Sequence, residues 1–533
     1  MNFTPNSIPY QQTGYFSRLI LDYLNEEPFL KSFYEHPVSM EGIDAAINNR
    51  SEIKTNRKLL IQVLEQQYAS LHIQDAVTKN LNSLSNENCF TITTAHQPAI
   101  FTGNLYFIYK ILHVIKIAET LSSKYKHHHF VPVFYMGSED ADLDELGHIF
   151  LDNKKLSWDT SQTGSVGRMH TTGFDKMIGR IEGEFSGFPF GPELIQLFKD
   201  CYQSSETIQE ATLKLLNHLF GEYGLVVLIP DHRMLKSVMN HIFKDDLIKH
   251  LPFEIINKNI QQLSKQYPVQ AKPREVNLFY LKDDIRERID LTDNLYHVHK
   301  TNIRFTQEEI LMELSAFPER FSPNVILRGI YQETILPNIA FVGGGGETAY
   351  WLELKPLFDH YKVPFPVLIL RNSFLLIRKF WESKILKTKL EAVSFFQPEE
   401  KLLGEFVREN SNRQLNLEKE KATLHQFYDS LKSISAHVDK TLLQHIDKLE
   451  TQSQKKLTEL EKKILRAEKK NHGETRRRIH EIREALFPLN ELQERIENFI
   501  PWYTAYGPAF IELLYKHSHT FEQTFTILEE KTD

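Results

Sequence analysis

The chain has 533 residues, of which 41% are hydrophobic, and a formal net charge of −7. This length indicates more than one domain, or one large domain with insertions. The slight acidic excess gives no electrostatic support for nucleic-acid binding. Only two cysteines are present, Cys89 and Cys201, which excludes a disulfide framework and fits the reducing cytoplasm. The first ten residues do not resemble a secretion signal, and no apolar run approaches the roughly 18 residues of a membrane span.

The apolar pattern predicts helices first and then an alternation of strands and helices. Residues 13–85 have the spacing of amphipathic helices. The predicted strands are Phe90–Thr94, Phe130–Tyr135, Gly224–Pro230, Asn338–Val342 and Pro366–Leu370. The predicted helices among them span 105–122, 206–220, 231–249 and about 347–360. Continuously apolar strands separated by helices favour an α/β fold whose parallel sheet is covered on both faces.

Two segments interrupt this alternation and are predicted to be insertions into the core. The first, at about 147–190, is rich in Gly, Ser, Thr and Asp. The second, at about 268–325, contains the strand-like runs Asn277–Leu281 and Ile285–Leu291, which resemble a hairpin. The expected divisions of the chain are a core over 1–385, a helical coiled-coil domain over 386–500 and a C-terminal helical tail over 501–533.

A long helical segment is predicted where residues 414–470 contain neither Pro nor Gly. Its apolar seam has heptad-like spacing and consists of Ile446, Leu449, Ser453, Leu457, Leu460, Ile464 and Ala467. A turn at 471–473 and a second helix over about 479–486 would complete an antiparallel hairpin. Asn490 and Gln493 resemble a capping box for a last helix that ends at Ile500. The hairpin is either a solvated pair of charged helices or a dimerisation arm, because two helices alone bury such a seam only partly.

The first candidate site follows the predicted strand at Phe90–Thr94. His96 and Gln97 stand between this strand and the next helix, with Thr102 and Asn104 at the predicted helix start. The carboxyl ends of parallel strands are where such sheets place ligands, and helix starts favour anions. His96 would then contact an anion or act in acid–base chemistry, and Thr102 would help to hold an anion. The alternatives are a structural histidine and an ordinary helix cap. Lys110, further along the helix, either faces the pocket or snorkels to solvent.

The second candidate is an acidic run just past the strand Phe130–Tyr135. It places five carboxylates within residues 139–145, including Glu139, Asp140 and Asp142. Such a cluster repels itself unless a cation neutralises part of it, so a divalent metal or a substrate ammonium is expected there. The alternative is a solvated acidic helix start.

Two further candidates follow the last two predicted strands. Gly343–Gly346 and Glu347 form a glycine-rich loop that lacks the P-loop and dinucleotide patterns. Gly344 and Gly345 would let the backbone approach a ligand, or would simply form a tight turn. Arg371 and Asn372 directly follow the last strand. Arg371 is suited to binding a carboxylate or phosphate, and equally to pairing with one of the acids.

Together these motifs resemble the BshC family, the cysteine-adding ligases of bacillithiol biosynthesis. The segments that carry the resemblance are His96-Gln97-Pro98-x-x-Phe101-Thr102-Gly103, Tyr109-Lys110, Ser138-Glu139-Asp140-x-Asp142, the glycine-rich loop ending in Glu347, and Leu492-Gln493-Glu494-Arg495. They occur in order along nearly the whole chain. The resemblance implies a Rossmann-like core with two connective insertions, similar to class I aminoacyl-tRNA synthetases, and a coiled-coil domain that mediates homodimerisation.

The resemblance also implies a reaction, the addition of cysteine to the amine of glucosaminyl-malate to give bacillithiol. His96, Glu139, Asp140 and Asp142 are then the expected catalytic residues. The expected substrate- and anion-binding residues are Gln97, Thr102, Asn104, Gly344, Gly345, Glu347, Arg371 and Asn372. The expected cosubstrate is ATP or another adenine nucleotide, although the chain lacks the synthetases' His-x-Gly-His and Lys-Met-Ser-Lys-like motifs. Whether a metal takes part is open.

Two other functions compete with this one. A non-catalytic scaffold would use the hairpin for assembly and retain a disused nucleotide-binding core. A nucleotidyltransferase acting on RNA is disfavoured by the net charge, although Arg476-Arg477-Arg478 forms a local basic cluster. We expect small-molecule substrates, no nucleic-acid or membrane partner, and a cytoplasmic location.

Overall fold

A computed structural model describes residues 2–411 and 413–531 of the chain. Its N-terminal region begins with a strand and continues as short helices. These elements are β1 (Phe3–Pro9), α1 (Tyr10–Thr13), α2 (Arg18–Leu24), α3 (Met40–Ser51), α4 (Arg57–Tyr68) and α5 (Asp75–Ser83). The helices of 13–85 are as predicted. The strand β1 was missed, because it alternates polar and apolar residues poorly and is stabilised by a partner more than 500 residues away.

The core alternates strands and helices around a five-stranded sheet. In chain order its first elements are β2 (Cys89–His96), α6 (Tyr106–Lys124), β3 (His129–Met136), α7 (Leu143–Leu146), β4 (His148–Leu151), β5 (Lys154–Ser157), α8 (Phe174–Phe185), α9 (Gly191–Tyr202), α10 (Ile208–Phe220), β6 (Val226–Leu228), α11 (Arg233–Ser237), α12 (Asn240–Lys249) and α13 (Leu251–Leu263). The next are β7 (Leu278–Lys282), β8 (Ile285–Thr292), β9 (Leu295–Val298), β10 (Arg304–Phe305), α14 (Gln307–Ala316), β11 (Phe321–Pro323), α15 (Val325–Ile335), β12 (Asn338–Gly343), α16 (Gly345–Tyr361) and β13 (Val367–Leu370).

The predicted parallel sheet is confirmed. Its strand order is β13-β12-β2-β3-β6, and every neighbouring pair is parallel. β2 and β3 pair without a register shift from Cys89 opposite His129 to His96 opposite Met136, so the two strands end at the same edge. Nearly all their residues are buried, as expected for strands that helices cover on both faces.

Both interruptions of the core contain small antiparallel sheets. In the first, β4 pairs with β5. In the second, β7 to β11 form a five-stranded sheet of order β10-β9-β8-β7-β11, and the predicted hairpin is β7 with β8. The described part of the chain contains no helix that is long and apolar enough to cross a membrane.

The remaining elements form the coiled-coil domain and the C-terminal region. They are β14 (Ser373–Ile377), α17 (Lys379–Leu386), α18 (Glu399–Asn410), α19 (Glu418–Ala436), α20 (Leu442–Asn471), α21 (Gly473–Leu486), α22 (Ile500–Tyr506), α23 (Pro508–His517) and β15 (Thr524–Glu530).

The antiparallel hairpin is formed by α19 and α20, so the predicted reversal at 471–473 is wrong. Lys421 pairs with Glu461 at 2.6 Å, and Lys432 pairs with Glu450 at 2.7 Å, which fixes the antiparallel direction. The chain reverses at 437–441, where a carboxylate oxygen of Asp439 accepts the Thr441 N–H at 2.8 Å. At 471–473 helical bonding nearly continues, and α21 packs against α18.

The region past 500 is only partly helical, because its last segment is the strand β15. β15 pairs antiparallel with β1 and parallel with β14, so both ends of the chain share one small sheet. The predicted helix over about 490–500 is also absent. In its place are 3-10 turns at Pro488–Asn490 and Gln493–Arg495.

The stretch Gln493–Asn498 connects the coiled-coil domain to the core through buried polar contacts. The Gln493 amide exchanges two hydrogen bonds with the backbone of Leu376, at 2.9 and 3.1 Å. Glu494 accepts from Arg371 Nη2 at 2.7 Å, and both side chains are almost completely buried. We call residues 493–498 the docking segment.

We expect Glu494→Gln to lower the free energy of unfolding by about 3–5 kcal/mol, because it leaves the buried Arg371 guanidinium without a counter-charge. Denaturant unfolding followed by circular dichroism measures this loss. Glu491→Gln is the control, since Glu491 is exposed three residues away. Equal stability of the two variants would show that this ion pair does not hold the segment in place.

Candidate functional site

The candidate site is a cleft at the carboxyl edge of the parallel sheet. β2 ends at His96, and Glu139 follows the end of β3. Asp231 follows β6, Gly344 follows β12, and Arg371 follows β13. Because all five strands run in one direction, these residues from distant parts of the sequence meet along one edge.

His96 is oriented by the groups that its two ring nitrogens contact. Nδ1 lies 2.9 Å from the carbonyl oxygen of Gln97, and Nε2 lies 3.0 Å from the hydroxyl of Tyr106. Because a carbonyl only accepts hydrogen bonds, Nδ1 carries the proton and Nε2 accepts from Tyr106. The ring also packs edge-on against Phe107, with 5.2 Å between the centroids.

The surroundings keep this imidazole neutral. Burial lowers the pKa of His96 to about 4, and the nearby ammonium of Lys110 acts in the same direction. Burial raises the pKa of Tyr106 to about 12, so its hydroxyl remains a donor. A neutral histidine that accepts from a tyrosine suits proton transfer better than electrostatic attraction of an anion.

Lys110 is buried beneath His96 and does not snorkel to solvent. Its ammonium donates to the carbonyl oxygen of Ala95 and to Glu347 Oε2, both at 2.5 Å. Burial lowers the pKa of Lys110. Burial alone would raise the pKa of Glu347, but Lys110 and the Gly344 N–H outweigh it, so this pKa lies below its usual value. The pair joins the end of β2 to the start of α16.

Gln97 connects the same loop to the acidic run. Its amide nitrogen donates to Asp140 Oδ2 at 3.0 Å. Arg286, from the second insertion, approaches Asp140 Oδ1 at 3.8 Å. The side chains of Asp140 and Glu347 remain 33% and 25% exposed. Two carboxylates near His96 are therefore partly exposed.

Glu139 belongs to a buried network of charges. Lys236, on α11, contacts Glu139 Oε1 and lies 2.9 Å from Asp231 Oδ1. Arg168, from the first insertion, binds Asp231 through two hydrogen bonds of 2.6 and 2.7 Å. Burial raises the pKa of Glu139, whereas the two cations overcome burial at Asp231 and lower its pKa to about 2. Lysine and arginine of the chain itself therefore neutralise these acids.

The expected helix cap at Thr102 and Asn104 is wrong. Thr102 lies in a 3-10 turn with a φ of +65°, and its buried hydroxyl has no hydrogen-bond partner among the described residues. The Asn104 amide donates to the carbonyl oxygen of Arg495 at 2.6 Å. α6 begins after Leu105, whose N–H donates to the Glu497 carbonyl oxygen at 2.8 Å. The docking segment thus binds the Asn104 amide and the Leu105 N–H at the helix start where an anion was expected.

Asp142 is not joined to the other acids. It is exposed, and its carboxylate caps α7 by accepting the Glu145 N–H at 3.1 Å. This is the solvated helix start that the sequence left open as an alternative.

Arg371 and Asn372 are occupied by the protein. Arg371 pairs with Glu494 rather than with any residue of the acidic run, and its guanidinium lies 5.0 Å from the ring centre of Tyr106. Asn372 is buried between His113 and His519, with hydrogen bonds of 3.2 and 3.3 Å. The Arg371 guanidinium therefore packs against the ring of Tyr106. Asn372 does not face the cleft.

The two glycines of the loop differ in their surroundings. Gly344 lies between Glu347 and Arg371, and its N–H donates to Glu347 Oε2 at 2.9 Å. Gly345 faces Ile20 of the N-terminal region. An internal carboxylate thus already occupies the start of α16, where an external anion was expected.

Sequence reasoning missed several residues of the cleft, namely Tyr106, Arg168, Asp231, Lys236, Arg286 and Arg328. Asp231 directly follows a correctly predicted strand, so the rule that selected His96 would also have selected it. The others lie on helices or insertions, where no local pattern separates a buried cation from a surface one. The described residues contain no group of three or more His, Cys, Asp or Glu side chains arranged to hold a metal.

Comparison with known proteins matches the chain along its length. Residues 3–372 match the family model described as bacillithiol biosynthesis BshC, N-terminal Rossmann-like domain, and residues 374–530 match the BshC C-terminal coiled-coil domain. A solved structure titled as a putative arginyl tRNA synthetase of Campylobacter jejuni aligns with 83% of this chain and 98% of its own, at 8% identity and a TM-score of 0.21, which is too low to inform fold or function.

Relatives named "Putative cysteine ligase BshC" cover nearly all of the chain. The protein of Flavobacterium psychrophilum is 40% identical over 98% of this chain and 99% of its own. That of Flavobacterium johnsoniae is 38% identical over 98% and 99%. That of Bacillus cytotoxicus is 24% identical over 95% and 97%. With both family models matched in order over the Rossmann-like and coiled-coil regions, the chain belongs to the BshC family of bacillithiol biosynthesis.

Proposed function

We propose that the protein is a ligase that joins cysteine to the amine of glucosaminyl-malate through an amide bond, giving bacillithiol. The observation that carries the proposal is the convergence of His96, Asp140 and Glu347 in one cleft, through the Gln97–Asp140 and Lys110–Glu347 contacts. The relatives' names support a cysteine ligase and do not favour a non-catalytic scaffold.

The reaction requires an amine nucleophile and an activated acyl group. The sugar nitrogen attacks the carbonyl carbon of the activated cysteine, a carbon–nitrogen bond forms, the activating group leaves with its oxygen, and the amine loses a proton. We propose ATP or another adenine nucleotide as the activating cosubstrate. No residue of this cleft is assigned to the nucleotide.

We propose that three side chains bind the attacking amine or accept its proton. Asp140 and Glu347 are partly open carboxylates that can hold an ammonium group. His96 is neutral and accepts the Tyr106 hydroxyl, so the pair can take the proton that the attacking amine releases. The Glu139–Lys236–Asp231 network is too buried to react and instead fixes the strand ends that carry these groups.

We expect His96→Ala and Tyr106→Phe to lower product formation by about 100-fold or more, because each interrupts the proton path. Mass spectrometry of purified protein incubated with cysteine, glucosaminyl-malate and ATP follows bacillithiol and the nucleotide together. Asp140→Asn should also be strongly impaired.

Asp142→Asn is the matched control, since asparagine also caps helices and the carboxylate lies outside the cleft contacts. It should retain wild-type turnover. Full activity of His96→Ala, or equal loss in Asp142→Asn and Asp140→Asn, would contradict this assignment of the site.

His96 should also make stability depend on pH. Its pKa is depressed in the folded protein to about 4, so the unfolded chain takes up a proton first as the pH falls below about 6.5. Its contribution is complete above pH 6.5 and is lost progressively toward pH 4. Between pH 7 and pH 4.5, the wild type should lose about 2 kcal/mol more unfolding free energy than His96→Asn. Parallel pH profiles in denaturant titrations would show that the ring is not held neutral.

We further propose a cytoplasmic homodimer that assembles through the coiled coil. Leu442, Leu449 and Leu460 of α20 are 42%, 39% and 47% exposed, and the helical repeat places them along one stripe. This stripe flanks the α19 contact, and a second copy of the chain would cover it. Both cysteines are free and buried, which suits a reducing compartment.

We expect Leu449→Glu combined with Leu460→Glu to give a monomer, because like charges would replace the apolar stripe. Light scattering on the purified protein measures the mass. Thr451→Glu combined with Thr458→Glu is the control, since these exposed residues also share one stripe and lie on the opposite flank of α20. An unchanged dimer in the leucine variant would place the interface elsewhere.

A further inference from the structure

One cation at the wall of the cleft, Arg328, forms no salt bridge with an acidic residue in the part of the chain that the structure describes. Arg328 lies in the first turn of α15, which runs back along the sheet before β12. The N-terminal end of α15 is therefore at the carboxyl edge. The hydroxyl of Tyr331, one turn later, donates to the carbonyl oxygen of Pro230 just past β6 at 2.7 Å, which confirms this placement.

The other cations described at the cleft are all paired with carboxylates. The pairs are Lys110 with Glu347, Lys236 with Glu139 and Asp231, Arg168 with Asp231, and Arg371 with Glu494. Arg286 also has Asp140 at 3.8 Å. Arg328 has no carboxylate oxygen within the 4.0 Å of a salt bridge among residues 2–411 and 413–531. Glu347 attracts this charge from beyond salt-bridge distance, but Lys110 already pairs with that carboxylate.

The guanidinium of Arg328 is nevertheless held in place. Nη2 donates to the hydroxyl of Tyr350, and the group lies 5.9 and 6.0 Å from the ring centres of Tyr135 and Tyr350. Its Nη1 is buried without a hydrogen-bond partner. An oriented guanidinium with an unused donor between aromatic rings suits the planar, two-point recognition of a carboxylate.

We propose that Arg328 binds a carboxylate of the substrate, with Tyr350 orienting its guanidinium. This rests on the proposed function, in which both substrates bear carboxylates. The malyl group of the amino sugar keeps its carboxylates throughout the reaction, whereas the cysteine carboxyl is consumed. A permanent anion is the better partner for a fixed cation, so we assign Arg328 to the malyl group. Arg328 thereby becomes a determinant of specificity for sugars that carry this acid.

The test measures binding by isothermal titration calorimetry on the full-length protein. The probes are glucosaminyl-malate, free malate, the methyl glycoside of glucosamine, which lacks the malyl group, and cysteine. Arg328→Gln should weaken glucosaminyl-malate binding by about 10- to 100-fold, the effect of losing a charge-assisted pair. Binding of the methyl glycoside should not change. The affinity of Arg328→Lys for glucosaminyl-malate should lie between those of the wild type and Arg328→Gln, because lysine keeps the charge but not the two-pronged guanidinium.

Two controls separate recognition from structure. Arg180→Gln removes an arginine of α8 whose side chain is 59% exposed and pairs with Glu184, and it should bind like the wild type. Without ligand, Arg328→Gln should unfold at nearly the same temperature as the wild type, because Arg328 forms no salt bridge whose loss would leave a buried carboxylate unpaired. A lower unfolding temperature together with unchanged binding would identify Arg328 as merely structural and overturn the proposal.

The outcomes separate this site from the reaction. If Arg328→Gln weakens cysteine binding instead, the carboxylate site stands and its occupant is cysteine, contrary to the malyl assignment. If the wild type forms bacillithiol and Arg328→Gln binds both substrates equally well, the site is wrong and the function stands. If malate binds through Arg328 but no product forms with any nucleotide, the proposed reaction fails and the site remains. If none of the probes binds the wild type, both fail.

Discussion

The cleft depends on one ion pair, that of the buried Lys110 with the partly exposed Glu347. An ammonium removed from water at this depth costs several kcal/mol unless it is matched by charge and hydrogen bonds. Here it has both, the carboxylate of Glu347 and the carbonyl oxygen of Ala95. Because Lys110 belongs to the helix after β2 and Glu347 to the helix after β12, the pair fixes two loops of the cleft relative to each other. His96 is placed, and kept neutral, by the same arrangement.

Charge compensation explains why the acidic run does not behave as its sequence suggests. Its carboxylates are divided among different environments. Glu139 is turned inward to Lys236, Asp140 is held at the cleft by Gln97, and Asp142 faces solvent as a helix cap. Arg168 and Arg286 bring the two insertions to this edge. Neighbouring residues of one run thus have different roles: Glu139 stabilises the fold, Asp140 lines the cleft and Asp142 caps a helix at the surface.

The sequence predicts the core well and the site only in part. All five parallel strands follow from continuous apolar runs, and this pattern is sufficient to place His96, Asp140 and Glu347 at one edge of the sheet. The failures have a common cause. Asn104, Arg371 and the carbonyl groups on either side of Thr102 contact the docking segment, which is about 120 to 400 residues away in the sequence. No local pattern records such contacts.

The coiled-coil error has a different origin. The heptad-like seam does lie on one helix, α20. Such a seam does not indicate which other helix packs against it. The reversal depends on Asp439 and its bond to Thr441, a weaker signal than the glycine at 473, which drew the prediction to the wrong end of α20. Turn residues and apolar periodicity are therefore independent pieces of information. In this region the apolar periodicity predicted the helix correctly, whereas the turn residues predicted the wrong position for the reversal.

The docking segment has a consequence for how the protein matures. Phe101, Thr102 and Gly103 all have positive φ angles, a conformation that is unfavourable for the first two residues. Asn498 stabilises it by donating to the carbonyl oxygens of Phe101 and Gly103. Because synthesis proceeds from the N-terminus, the ribosome finishes this loop's sequence nearly 400 residues before it makes the asparagine that shapes it. A nascent chain can therefore assemble its parallel sheet before its cleft, which is completed only after Asn498 has been made.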